Sequence, residues 1–88
     1  MTDIKQLDIK SITSPSGVEF NVGDKVVFIP SYVDHIKGLD VGFTGEEVGI
    51  LSEFVEIDRE IMALTIFEYE HLKVKNFAEI IDRFMMVQ

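Results

Sequence analysis

Two apolar arms around a charged turn dominate the pattern of hydrophobic and polar positions. The stretch from Gly45 to Tyr69 reads GEEVGILSEFVEIDREIMALTIFEY and is rich in β-branched and aromatic residues. Alternation with a period of two is typical of strands, and the D-R-E triplet at 58–60 is a turn-like break. A helix is the competing interpretation, but Gly49 inside the run favours strands. The pattern therefore predicts a β-hairpin whose first arm alternates without interruption, with one face formed by Val48, Ile50, Ser52, Phe54 and Glu56.

A second hairpin is predicted near the N terminus. Residues 7–13 alternate in part and residues 18–22 alternate cleanly, on either side of the sequence Ser-Pro-Ser-Gly at 14–17. Proline suits the second position of a type I turn and glycine its fourth position. Residues 25–29 then form a short strand that is apolar on both faces, and Pro30 ends it.

The stretch from 31 to 45 has no clear period and is punctuated by glycines. A loop of this length in a small domain is often a binding loop. Because it is also apolar, we expect it either to fold over the end of the sheet or to present a partner-binding patch. Tyr32 and Phe43 are the side chains that we expect to act as anchors.

The C-terminal stretch predicts a short strand at 71–75 and then a short C-terminal helix over about 77–86. Asn76 and Glu79 have the capping-box spacing, and the apolar residues that follow recur at helical intervals. A 3₁₀ turn followed by a last strand, from Arg83 to Val87, is the alternative. The helix would either dock on its own sheet or bind a partner, with Phe84 and Met85 as its contact residues.

Three segments, 20–30, 45–57 and 61–75, together resemble the SH3-like small β-barrel in its KOW-like form. FNVGDKVV at 20–27 is similar to the opening strand of such barrels, and GEEVGIL at 45–51 is similar to the start of their second strand. The stretch from 12 to 26 is also similar to small uncharacterised phage accessory proteins. The resemblance implies a mainly β fold, an SH3-like small barrel preceded by an N-terminal hairpin. KOW-like barrels often contact RNA or RNA polymerase, and no functional residue is carried over from them.

The charge of the chain changes what this resemblance implies. The net charge is −8, and residues 46–70 hold eight acidic side chains against the single base Arg59. Nucleic-acid-binding domains normally carry a basic surface, so neither nucleic acid nor an anionic membrane is an expected partner. The 88 residues form one small domain, 1–88, without cysteine and without an apolar run long enough to span a membrane. These features fit a cytoplasmic location.

No catalytic residue, cofactor or metal site is predicted. His35 and His71 lack the spacing of metal ligands. Paired carboxylates are plentiful, but catalysis requires that one of them be desolvated, whereas carboxylates that alternate along a strand normally face water.

The sequence therefore predicts a non-enzymatic protein-interaction module, a small phage or mobile-element accessory factor that binds and occludes a host protein. An acidic face formed by Glu53, Glu56 and Glu60 would steer it to a basic patch of that partner, and apolar side chains would anchor it. Three alternatives stay open: an acidic nucleic-acid mimic, a structural subunit of a larger assembly or homo-oligomer, and a weak RNA-binding barrel that uses Lys25, Lys73 and Lys75.

Overall fold

The computed structural model describes residues 4–30, 42–72 and 75–87, and this part of the chain is mainly β. It contains eight strands and one 3₁₀ turn. In chain order these are β1 (Ile4–Gln6), β2 (Ser11–Thr13), β3 (Glu19–Asn21), β4 (Lys25–Phe28), β5 (Val48–Ile57), β6 (Glu60–Ile66), β7 (Asn76–Ile80), the 3₁₀ turn (Ile81–Arg83) and β8 (Phe84–Met86). Within the described residues there is no helix long and apolar enough to cross a membrane.

The larger sheet has the strand order β7-β6-β5-β4-β8, and all its pairs are antiparallel. The ten-residue strand β5 pairs with β6 along one side, while its other side pairs first with β4 and then with β1. The strands β2 and β3 form a separate two-stranded sheet. Among the described residues, β7 and β8 are the two ends of the larger sheet, so the predicted closure into a barrel is not confirmed.

Both predicted hairpins are confirmed. The arms β5 and β6 are joined at Asp58 and Arg59, whose φ angles of 50° and 68° are those of a tight two-residue hairpin turn. In the N-terminal hairpin, the N–H of Gly17 donates to the carbonyl of Ser14 at 2.9 Å. This bond closes the predicted turn between β2 and β3, although the paired strands are shorter than the alternating segments.

The prediction of an unbroken alternation along the first arm of the hairpin is wrong. Leu51 lies opposite Thr65 and Phe54 lies opposite Ala63, so three steps along β5 match only two along β6. This shift is a β-bulge between Leu51 and Glu53. Because residues opposite each other share a face, the bulge turns both Leu51 and Phe54 toward the core.

The predicted C-terminal helix is also wrong. Residues 76–80 pair with β6 as a strand, and the chain then passes through the 3₁₀ turn into β8, which pairs with β4. These residues pair with the backbone N–H and C=O groups at the edges of β6 and β4. This pairing outweighs the local helical pattern. The alternative of a 3₁₀ turn and a last strand is therefore close to the observed structure. Of the strand predicted at 71–75, His71 lies in a turn, and residues 73 and 74 lie outside the described residues.

The core lies on one face of the larger sheet and is rich in phenylalanine. The ring of Phe28 is 5.1 Å from that of Phe43 and 4.7 Å from that of Phe77, measured between centroids. The small sheet contributes Phe20 to the same cluster. The other buried members are Val26, Leu51, Phe54, Ala63, Phe67, Leu72, Ile81 and Phe84.

Gly49 is a point of close packing in this core. A Cβ atom at this position would lie 2.6 Å from Cε1 of Phe67, whose ring is fully buried. We therefore expect Gly49→Ala to lower the free energy of unfolding by about 1–3 kcal/mol, because the ring must move within a packed core. Urea unfolding of the single variants and of Gly49→Ala in a Phe67→Leu background measures this. The cost should fall in the Phe67→Leu background, and an equal cost in both backgrounds would contradict the steric explanation.

Candidate functional site

Two chain segments meet beside the start of β5. The first leads from Gly42 into β5, and the second follows β6 through Tyr69 and His71. Gly42 has a φ of 107°, and a Cβ atom there would lie 2.8 Å from the backbone oxygen of His71. Glycine is therefore needed for the two segments to approach, and their approach places His71 beside Glu47.

The Glu47 carboxylate is the polar centre of this contact. Its side chain is only 3% exposed, and no buried side-chain nitrogen or oxygen in the described residues lacks a hydrogen-bond partner. The backbone N–H of Thr44 donates to Oε1 at 2.8 Å, and the Thr44 hydroxyl donates to Oε2 at 2.8 Å. Nε2 of His71 lies 2.6 Å from Oε2. Three donors from two segments thus hold one carboxylate.

These donors keep Glu47 ionised. Burial alone would raise its pKa, but the backbone N–H of Thr44, the His71 ring and the Thr44 hydroxyl outweigh that effect and lower the pKa from 4.5 to about 2. The carboxylate therefore holds a negative charge throughout the physiological pH range.

Tyr69 forms the wall next to this carboxylate. Its hydroxyl accepts a hydrogen bond from the backbone N–H of Val48 at 3.0 Å, which fixes the ring against the start of β5. The centroid of the ring is 5.7 Å from that of His71. The residue is 36% exposed, so a ring in a fixed position remains accessible from solvent.

An open depression of about 450 Å³ lies over these residues, and we call it the Tyr69 cleft. It is lined by Thr44, Glu46, Glu47, Tyr69 and His71. A neighbouring depression shares Tyr69 and adds Glu68, Glu70 and Lys75. Carboxylates around an accessible aromatic ring are the groups that recognise a lysine or arginine side chain.

The predicted apolar anchors do not form one surface. Phe43 and Phe84 are buried in the core, so the expectation that they contact a partner is corrected: both rings pack against Phe28. Met85 is 59% exposed, because neighbouring residues of β8 point to opposite faces of the sheet. Tyr32 lies outside the described residues.

The predicted acidic face is also divided. Glu53 lies opposite Leu64 and Glu60 lies opposite Ile57, on the face of the sheet away from the core, whereas Glu56 lies opposite Ile61 on the other face. The amide nitrogen of Gln6 donates a hydrogen bond to the carboxylate of Glu53. The three carboxylates thus do not form a single acidic surface.

The basic residues of the RNA-binding alternative are likewise separated. Lys25 lies in β4 and Lys75 directly precedes β7, and two strands separate β4 from β7 in the sheet. Lys73 lies outside the described residues.

The Tyr69 cleft was not predicted from the sequence. Glu47 and His71 are 24 positions apart, and no local spacing links them. The only local signal is the interval of three between Thr44 and Glu47, which lets a side chain bond to a nearby backbone N–H. Within the described residues there is no group of three histidine, aspartate or glutamate side chains that could hold a metal ion.

Comparison with known proteins adds no relative: no protein-family model matches the sequence, and no curated protein or solved structure is significantly similar to it.

We expect Glu47→Gln to destabilise the protein at neutral pH by on the order of 3 kcal/mol. The substitution replaces a carboxylate, whose negative charge is stabilised by three hydrogen bonds, with a neutral amide. The folded-state pKa of Glu47 lies below its value of 4.5 in the unfolded chain. Its contribution is therefore complete above about pH 5 and is lost as the pH falls toward 2. Urea unfolding at several pH values should show the difference between the two proteins shrinking in acid.

The neighbouring exposed carboxylate provides the control for this prediction. Glu46→Gln removes the same charge one position away, and we expect it to change stability by less than about 0.5 kcal/mol. A cost of Glu47→Gln that is independent of pH, or an equal cost of Glu46→Gln, would contradict the role assigned to the buried carboxylate.

Proposed function

We propose that this chain is a non-enzymatic protein-interaction module that receives a lysine or arginine side chain of a partner protein in the Tyr69 cleft. The observation that carries the proposal is the accessible Tyr69 ring, whose hydroxyl is held by the backbone of β5. The ring lines the cleft together with Glu46 and Glu47, and it lines the neighbouring depression together with Glu68, Glu70 and Lys75. A cation over an aromatic ring gains on the order of 0.5–1 kcal/mol at an exposed site. The ionised Glu47 adds a negative charge beside the ring, and the exposed carboxylates Glu46 and Glu70 line the depressions next to it.

The net charge of −8 acts at longer range. Complementary charge accelerates the encounter with a basic surface and discriminates against acidic partners. Together with the sequence resemblance, this charge leads us to propose a small cytoplasmic accessory factor of phage or mobile-element type that occludes a basic surface on a host protein.

The proposed fold for this module is an open form of the SH3-like barrel. The three segments that resemble its successive strands correspond to β4, β5 and β6, which are neighbours in the sheet. The 3₁₀ turn connects β7 at one end of the described sheet to β8 at the other end, and this connection supports the proposed relation to such a barrel.

The acidic nucleic-acid mimic receives less support than the cleft. A mimic of a phosphate backbone needs carboxylates in a row on one surface, and the register of β5 and β6 separates Glu56 from Glu53 and Glu60.

An NMR titration with a short arginine-rich peptide tests the proposal. We expect the amide signals of Thr44–Val48 and of 68–71 to shift, and the affinity to fall as salt is added. Removing two charges around Tyr69, one at the cleft and one at the neighbouring depression, in Glu46→Gln/Glu70→Gln, should weaken binding by about threefold to tenfold.

The matched control removes two charges elsewhere. Glu53→Gln/Glu60→Gln changes the net charge by the same amount on the hairpin, and it should leave the cleft signals and the affinity nearly unchanged. Equal weakening by both double variants would mean that the peptide responds only to net charge, and shifts confined to the hairpin would place binding outside the Tyr69 cleft.

A further inference from the structure

The sheet face opposite the core remains apolar across four adjacent strands. The register places Val27 opposite both Val48 and Met85, and it places Ile50 opposite Ile66. Residues opposite each other point to the same side, so these five side chains share one surface. We call this surface the Ile50 face, and it consists of Val27, Val48, Ile50, Ile66 and Met85.

The Ile50 face is open to solvent. Ile50 is 49% exposed and Ile66 is 38% exposed, and Met85 at its border is the most exposed of the five. On the same side the sheet continues through the half-buried Met62, Leu64 and Ala78. An antiparallel sheet with a single core usually alternates to polar residues on its outer face. An apolar outer face is the pattern of a sheet that is covered by a second layer.

We propose that the second layer is another copy of this chain, packed sheet against sheet about a two-fold axis. The charges at the two sides of the face are the reason for choosing this partner. Lys25 lies opposite Ile50 in β4, on one side of the face. Glu68 lies on the other side, beyond Ile66, and lines a depression with Val48, Ile50, Ile66 and Tyr69.

A two-fold axis that runs along β5 makes these charges complementary. It brings the β4 side of each copy over the β6 side of the other, so that Lys25 of each copy faces the region of Glu68 in its mate. The pairing occurs twice, as an isologous interface requires. The next carboxylate along β5 on this face is that of Glu53. It has a partner within the same chain, because it accepts a hydrogen bond from Gln6.

A second copy would also increase the buried surface of this small chain. A domain of this size buries a modest fraction of its surface, and a sheet-to-sheet interface adds to the apolar area that is buried. The two proposed surfaces meet at Tyr69, which also lines the depression over the Ile50 face. Glu46, Glu47 and His71 line the Tyr69 cleft and are not part of the Ile50 face.

Sedimentation velocity of the full chain from micromolar to near-millimolar concentration tests the proposal. We expect a species with twice the mass of the chain that dissociates on dilution. Ile66→Glu should weaken this dimer by about a hundredfold or more, because it buries a carboxylate in an apolar interface. Ile61→Glu is the matched control: Ile61 lies in the same strand and is 46% exposed, but it points to the opposite face, so the dimer should persist.

A charge exchange tests the two-fold arrangement without changing the apolar residues. Lys25→Glu should weaken the dimer by about threefold to tenfold, and Lys25→Glu/Glu68→Lys should restore it. A monomer at all concentrations would overturn the proposal, and so would a dimer that survives Ile66→Glu. Failure of the double exchange to restore the dimer would overturn the proposed axis. Ile66→Glu and Lys25→Glu leave Glu46, Glu47 and His71 of the Tyr69 cleft unchanged, so peptide binding by these two variants distinguishes failure of the dimer from failure of the cleft.

Discussion

The β-bulge between Leu51 and Glu53 decides which side chains of the central strand face the core. The strand β5 contacts β4, β1 and β6, so its register fixes the register of most of the sheet. Without the bulge, the alternation that buries Leu51 would also turn Glu53 toward the core and Phe54 away from it. One extra residue keeps Leu51 and Phe54 in the same core and leaves Glu53 outside it.

The two faces of the sheet thereby acquire different physical roles. The inner face collects the phenylalanine core, and Gly49 lets the Phe67 ring press directly against the backbone of β5. The outer face keeps aliphatic side chains in contact with solvent, which is the basis of the proposed dimer. The Tyr69 cleft lies at the start of β5, where the two adjoining segments meet around a buried carboxylate rather than around more apolar surface. An ordered polar centre is well suited to hold a binding surface in one geometry.

Local patterns in the sequence predict the two hairpins but not the strands at the edges of the sheet. Alternation and turn residues predicted β2–β3 and β5–β6, because both signals depend on neighbours in the chain. The stripe from Phe77 to Met85 also satisfies a helical period, and only pairing with the distant strands β6 and β4 makes these residues extended. For the same reason local patterns do not show that Phe43 and Phe84 are buried, or that Glu47 contacts His71.

The most direct test is a measurement of the register of the β5–β6 hairpin. Cross-strand nuclear Overhauser effects in the free protein provide this measurement. The bulge predicts that Leu51 contacts Thr65 while Phe54 contacts Ala63. An unbroken ladder would place Glu53 opposite Ala63 instead. Contacts of the first kind would confirm the two-faced sheet, and contacts between Glu53 and Ala63 would contradict it together with the surfaces that depend on it.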